Sequence, residues 1–178
     1  MSSNECIIPE CYIDTCLIEV LLNVGKDYVN HQKGNGKVAR EMKGKFVGAF
    51  CVGIIDEDRK KLDYLNGFDM VAESKHLKLW KIKGGHQYMI QIRPVIEEWI
   101  LANCKESGID LKDYNLPNLL YDLIKITKSL TSKRDQRFIR LFKDMIKKGS
   151  GPMLELQKWL KYLNDKKFNT DINQLING

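Results

Sequence analysis

Apolar positions along this chain change their period partway through, and the change divides it. Up to about residue 110, short apolar runs alternate with polar turns; beyond it, apolar residues recur at helical spacing. Residues 49–55, AFCVGII, hold six apolar side chains and one glycine, which predicts a buried central strand. Leu77 and Leu79, then Trp80 and Ile82, precede the Gly84-Gly85 pair, with Tyr88, Ile90 and Ile92 alternating beyond it. Two glycines supply the positive φ angles of a tight turn, so residues 77–92 are expected to form a β-hairpin. Earlier, CYIDT (residues 11–15) reads as a short strand ending in Asp14, followed by a first helix on Leu17, Val20, Leu21 and Val24. A short helix around residues 38–43 and a short strand over residues 69–74 complete the first part. Pro94 reads as a residue of the first turn of a helix that Gly108 stops.

The second part predicts helices over residues 116–130, 132–148 and 152–165. The middle one is the most strongly patterned. Phe138, Leu141, Phe142 and Met145 lie on one face, and Lys133, Arg137, Arg140 and Lys147 lie opposite. Ser132 is the expected cap, and Gly149 and Gly151 the break. The tail from residue 169 is weakly patterned and is expected to fray. The expected class is α/β: a small sheet flanked by helices over residues 1–110, with a C-terminal helical region, 111–178, packed on it as one unit.

With 178 residues, 43% of them hydrophobic and 29% charged, the chain can bury one domain core. It has no apolar run of the ~18 residues a membrane span needs. Its first residues lack a basic segment followed by an apolar one, so neither a membrane segment nor a signal peptide is expected. Five cysteines without a CxxC pair suit a reducing cytoplasm, with buried thiols rather than metal ligands. Net charge is +6, and residues 132–168 alone hold eleven Lys/Arg against four Asp/Glu. A basic region so concentrated predicts an acidic partner, nucleic acid foremost, or else a well-solvated helical face.

The candidate chemistry lies in the acids. Asp56, Glu57 and Asp58 end the central strand, Asp14 ends the first, and Glu97 and Glu98 open the helix after the hairpin. Functional groups of open α/β sheets gather at the carboxyl ends of strands. Asp56 and Asp58, alternate residues, can share a cation while Glu57 looks away. Oxygen ligands without histidine favour Mg²⁺ or Mn²⁺, and two such ions can stabilise attacking and leaving oxygens in phosphodiester cleavage. The run VGIIDE is also similar to a Walker B strand, but KGNGKVAR lacks the GxxxxGK[ST] loop, which excludes a P-loop ATPase. His31, His76 and His86 are widely spaced, with no serine or cysteine in a catalytic setting.

An apolar strand ending in IIDED, then PVIEEW after a further strand, resembles the TOPRIM fold as found in small defence-associated nucleases of the RloB and OLD types. The resemblance covers roughly residues 10–105. It implies a first strand ending in an acid, an Asp-x-Asp at a later strand end, and a Pro-x-apolar-Glu-x-Trp segment opening a helix. Asp56 and Asp58 match the Asp-x-Asp, and Glu97 and Trp99 match the acid and aromatic of the last segment. The family's first acid is a Glu followed by Gly; on the strand read at residues 11–15 that place falls to Asp14, with Glu19 one turn on as a helper. The implied activity is Mg²⁺-dependent nuclease action on DNA or RNA. Asp14, Asp56, Asp58 and Glu97 would be catalytic; Asp14, Glu19, Asp56 and Asp58 would hold metal; and Lys133, Arg137, Arg140 and Lys147 would hold the phosphate backbone. The alternatives are a non-catalytic nucleic-acid-binding module, or a subunit whose Trp80, Trp99, Trp159 and apolar C-terminal helices meet a protein partner or a second copy.

Overall fold

The computed structural model describes residues 5–58 and 61–177. The protein is α/β. Five strands, β1 (Ile7–Pro9), β2 (Cys51–Asp56), β3 (Phe68–Glu73), β4 (Leu77–Ile82) and β5 (Gln87–Ile92), form one sheet in the order β1-β2-β5-β4-β3. β1, β2 and β5 are mutually parallel, and β4 and β3 continue the sheet antiparallel. The hairpin at Gly84 has φ +68°, a backbone conformation that glycine adopts without steric cost.

Side chains alternate across the central strands, so each strand feeds two cores. Ile7, Val52, Ile54, Tyr88, Ile90 and Ile92 enter one cluster, while Ile8, Cys51, Ile55 and Met89 enter the other. The larger cluster is shared with α1 (Tyr12–Leu22), α3 (Ile96–Glu106), α4 (Leu120–Thr127), α5 (Gln136–Lys147), α6 (Gly151–Lys166) and α7 (Ile172–Asn177). The C-terminal helices therefore close the main core. α2 (Asn35–Gly44) covers the opposite face through Val38 and Met42. It sits low because β2 has Gly53 beneath it: a Cβ there would lie 2.6 Å from Met89 Sδ and 2.8 Å from Met42 Sδ. Buried Gln87 ties the end of α2 to the sheet, donating to the carbonyls of Met42 and Phe46 at 2.9 and 2.6 Å.

Four local expectations are corrected. Residues 11–15 are not a strand: Cys11 is extended and caps α1, and β1 lies upstream, where Ile7 and Ile8 are buried on opposite faces. α1 is buried almost all round, between the sheet and α5 and α6, which blurs its period. Pro94 precedes α3, whose N-cap is the extended Val95. Residues 132–148 are two elements. A 3-10 turn over Leu130–Arg134 is followed by α5, which Asp135 caps by accepting from the Arg137 N–H at 2.9 Å. Ser132 is buried instead, its hydroxyl turned to the carbonyls of Thr127 and Ser129. The tail is ordered into α7, anchored by the buried Leu175. No helix among the described residues is long and apolar enough to cross a membrane.

Candidate functional site

The parallel register brings the carboxyl ends of β1 and β2 side by side, and α1 and α3 both start at that edge. Acids occupy each of these starts and ends. Glu10 directly follows β1, and its Oε2 accepts the Asp56 N–H at 3.0 Å. Asp56 closes β2, and its Oδ1 accepts the N–H of Ile96, the first residue of α3, at 2.9 Å. That bond satisfies one free donor of the helix end and aims the carboxylate at the positive end of the helix dipole. Asp14, in the first turn of α1, accepts the Cys11 N–H through Oδ2 at 3.1 Å. It is only 1% exposed, and its other oxygen, Oδ1, is buried without a hydrogen-bond partner. Glu97, in the first turn of α3, is buried and accepts from the Thr127 hydroxyl. Asp58 stands exposed at the rim and takes the side-chain amide of Asn35.

These groups act on one another electrically. Burial, then the charges of Glu10 and Glu97, push Asp14 well above the ordinary carboxylate range. Burial, then the charges of Asp14, Glu10 and Glu97, do the same to Asp56. Glu10 is raised by burial and by Asp58. Crowded acids that must leave water hold protons unless a cation joins them. Among the described residues, no three His, Cys, Asp or Glu side chains form a ready-made metal shell. The donors at this edge that a hard divalent cation could take are carboxylates, one of them with a buried oxygen that has no hydrogen-bond partner.

A cavity of about 440 Å³ opens over the cluster, lined by Glu10, Asp56, Asp58 and Glu97 on one side. Tyr12 and His31 line it as well, with Lys33 and Lys128 beside them. The Tyr12 and His31 rings are stacked, 4.4 Å between centres and 15° between planes. Thr15 donates its hydroxyl hydrogen to the Cys11 carbonyl at 3.0 Å, so its oxygen accepts from His31 Nδ1 at 2.9 Å. This network assigns the hydrogen to Nδ1 and leaves Nε2, which is buried and unpartnered, with a bare lone pair. Burial, with Lys133 and Lys33 nearby, lowers the His31 pKa.

Of the acids singled out from sequence, Asp14, Asp56, Asp58 and Glu97 are brought to this edge. Glu57 turns away into ion pairs with Lys78 and with Arg93, the latter at 2.8 Å. Glu98 is exposed and lines a neighbouring hollow. Glu19 is not at the cavity: it accepts the Tyr28 N–H at 3.2 Å and lines a separate hollow with Lys26, Lys133 and Lys143. The basic residues of the 132–148 segment do not line the carboxylate cavity either. Lys133 pairs with Asp27 at 2.6 Å, and Arg137 forks onto Asp135, with a further bond to the Asn115 carbonyl at 3.0 Å. Arg140 lies over the Tyr114 ring and bonds the Asp113 carbonyl at 3.3 Å, while Lys147 is exposed. Sequence reasoning missed Glu10, Tyr12, Lys33 and Lys128, and gave His31 no role. Only Glu10 had a usable signal, an acid directly after a buried apolar pair and a proline. Compared with known proteins, the chain matches no protein-family model, no curated protein and no solved structure.

Proposed function

We propose that the protein is a Mg²⁺- or Mn²⁺-dependent nuclease of TOPRIM type, cleaving phosphodiesters of DNA or RNA at the carboxyl edge of β1 and β2. The observation that carries this reading is the convergence of Glu10, Asp14, Asp56 and Glu97 from four separate elements, with Asp14 Oδ1 buried and unpartnered. Glu10, rather than Asp14, fills the first-strand place that the resemblance reserves for a Glu, and Cys11 stands where Gly is expected. Glu10, Asp14 and Asp56 would hold the metal, with Asp58 and Glu97 at its margin. When bound, a divalent cation would lower the pKa of a coordinated water and offset charge on the phosphate.

The chain's own residues orient this site. The Ile96 N–H fixes one oxygen of Asp56, the Asp56 N–H fixes Glu10, and Thr127 fixes Glu97. Lys33 and Lys128, on the cavity wall, draw the phosphate backbone towards the acids. A second reading, a nucleic-acid-binding module that does not cut, is favoured by the lack of a ready-made three-ligand shell among the described residues.

The test is incubation of wild type and Asp56→Asn with single- and double-stranded DNA and RNA in Mg²⁺ and Mn²⁺. Cleavage by wild type and a loss of at least a hundredfold in the variant support the nuclease. Binding without cleavage by wild type would select the second reading.

A further inference from the structure

We infer that the Tyr12–His31 pair is a stacking subsite for one unpaired nucleobase, which makes single-stranded nucleic acid the substrate class of this site. The inference deepens the reading above and rests on it for the nucleic-acid ligand. Three observations carry it. The pair lines the same cavity as Glu10, Asp56 and Glu97, so a base resting on it leaves its own phosphate within that cavity. A cavity of about 440 Å³ has the size of a site for one small flat group. A base inside a duplex is stacked on both faces and cannot enter without being extruded.

The pair is also built as a platform. Tyr12 is the first residue of α1 and partly exposed, whereas His31 sits in the loop before α2 and backs the Tyr12 ring at 4.4 Å. His31 cannot rotate freely, because Thr15 holds Nδ1 at 2.9 Å and is itself anchored on the Cys11 carbonyl. A ring that served only to close this loop would have no reason to line a cavity or to leave Nε2 unpartnered. Lys33 reaches over the Tyr12 ring, 5.8 Å from its centre, on an exposed side chain. An ammonium there is placed to leave the ring for the phosphate of an arriving nucleotide. Aromatic stacking with cations beside it is the chemistry that binds single strands with little regard to sequence.

The experiment uses the whole protein and a short single-stranded oligonucleotide carrying 2-aminopurine, whose fluorescence is quenched by stacking, in Ca²⁺ and then in Mg²⁺. Wild type and Tyr12→Phe are expected to bind the strand and quench it, and Tyr12→Trp to bind at least as tightly. Tyr12→Leu is expected to lose roughly tenfold in affinity and most of the quenching. A blunt duplex of the same sequence is expected to bind more weakly and to be indifferent to residue 12. Equal binding of the single strand by wild type and Tyr12→Leu overturns the subsite, as does duplex binding as tight as single-strand binding. Should Tyr12→Leu not fold, Tyr12→Met takes its place: binding and quenching equal to those of wild type then overturn the inference. Cleavage is scored separately in Mg²⁺. Quenching without cleavage keeps the subsite and removes the nuclease, cleavage that ignores residue 12 does the reverse, and a wild type that binds no oligonucleotide overturns both.

Discussion

The Asp56 N–H donates to Glu10 Oε2 at 3.0 Å, joining the ends of two parallel strands that lie 46 residues apart in sequence. The bond orients Glu10, and the Ile96 N–H orients Asp56 in turn, so three segments fix two carboxylates without any basic side chain.

Substitution of Asp56 should separate stability from function. Asp56→Asn keeps an oxygen to accept from Ile96 but has no proton to take up on folding, as the Asp56 carboxyl must at pH 8 among Asp14, Glu10 and Glu97. The metal-free variant should therefore melt several degrees higher than wild type at pH 8 and gain nothing from added Mg²⁺. Thermal melts with and without the ion measure both effects.

The same carboxylates set a pH dependence with a definite sign. Asp14 is raised to about 7 and Asp56 to about 9, above the roughly 4 of an unfolded carboxylate. A group with a higher pKa in the folded state binds its proton more tightly there. Its stabilisation is complete below about 4 and is lost as pH climbs through the raised values. The metal-free protein should lose stability between roughly pH 4 and pH 9 from these groups, and Mg²⁺ should stabilise more at pH 8 than at pH 5. Melts across that range in a chelator and in Mg²⁺ test this, and a metal effect independent of pH would count against it.

Gly53 is a packing requirement. Gly53→Val would push side-chain carbons into Met89, Met42 and Val38, and overpacking of this kind costs about 1–3 kcal/mol. Urea unfolding should show that loss, with a smaller one for Gly53→Ala because methionine side chains adapt.

Nucleic-acid affinity should depend on the cavity wall more than on α5. Lys33 and Lys128 line the carboxylate cavity, while Arg137 is already committed to Asp135 and Asn115. Joint Lys33→Glu and Lys128→Glu should weaken oligonucleotide binding at least tenfold and flatten its salt dependence. Arg140→Glu with Lys147→Glu should change binding only a few-fold. Anisotropy titrations at two salt concentrations compare them.

How much of this was legible in the sequence depended on length and on distance along the chain. β2 and the β4–β5 hairpin were readable because six-residue strands leave a run or an alternation. β1 was not, since three residues, one of them proline, make no pattern. With the first strand set too late, Asp14 was read as the acid at its end, whereas the residue that directly follows β1 is Glu10. α1 was legible from Leu17 on, but its first turn was read as a strand because burial on nearly all sides removes the polar stripe that marks a helix. Asp56 and Asp58 could be found from the end of β2 alone. The Tyr12–His31 stack could not, because it joins a helix start to a loop 19 residues on through tertiary structure alone. Arg137, Arg140 and Lys147 do belong to α5, but Lys133 lies in the turn before it, and charge counting could not reveal that Asp135 and Asp27 already answer Arg137 and Lys133.

Calorimetric titration of Mg²⁺ into wild type and into Asp56→Asn at pH 8 tests the central claim most directly. Saturable binding by wild type that disappears in the variant is the predicted result. Binding that survives Asp56→Asn unchanged, or no binding by wild type at millimolar Mg²⁺, would contradict a metal site at the ends of β1 and β2.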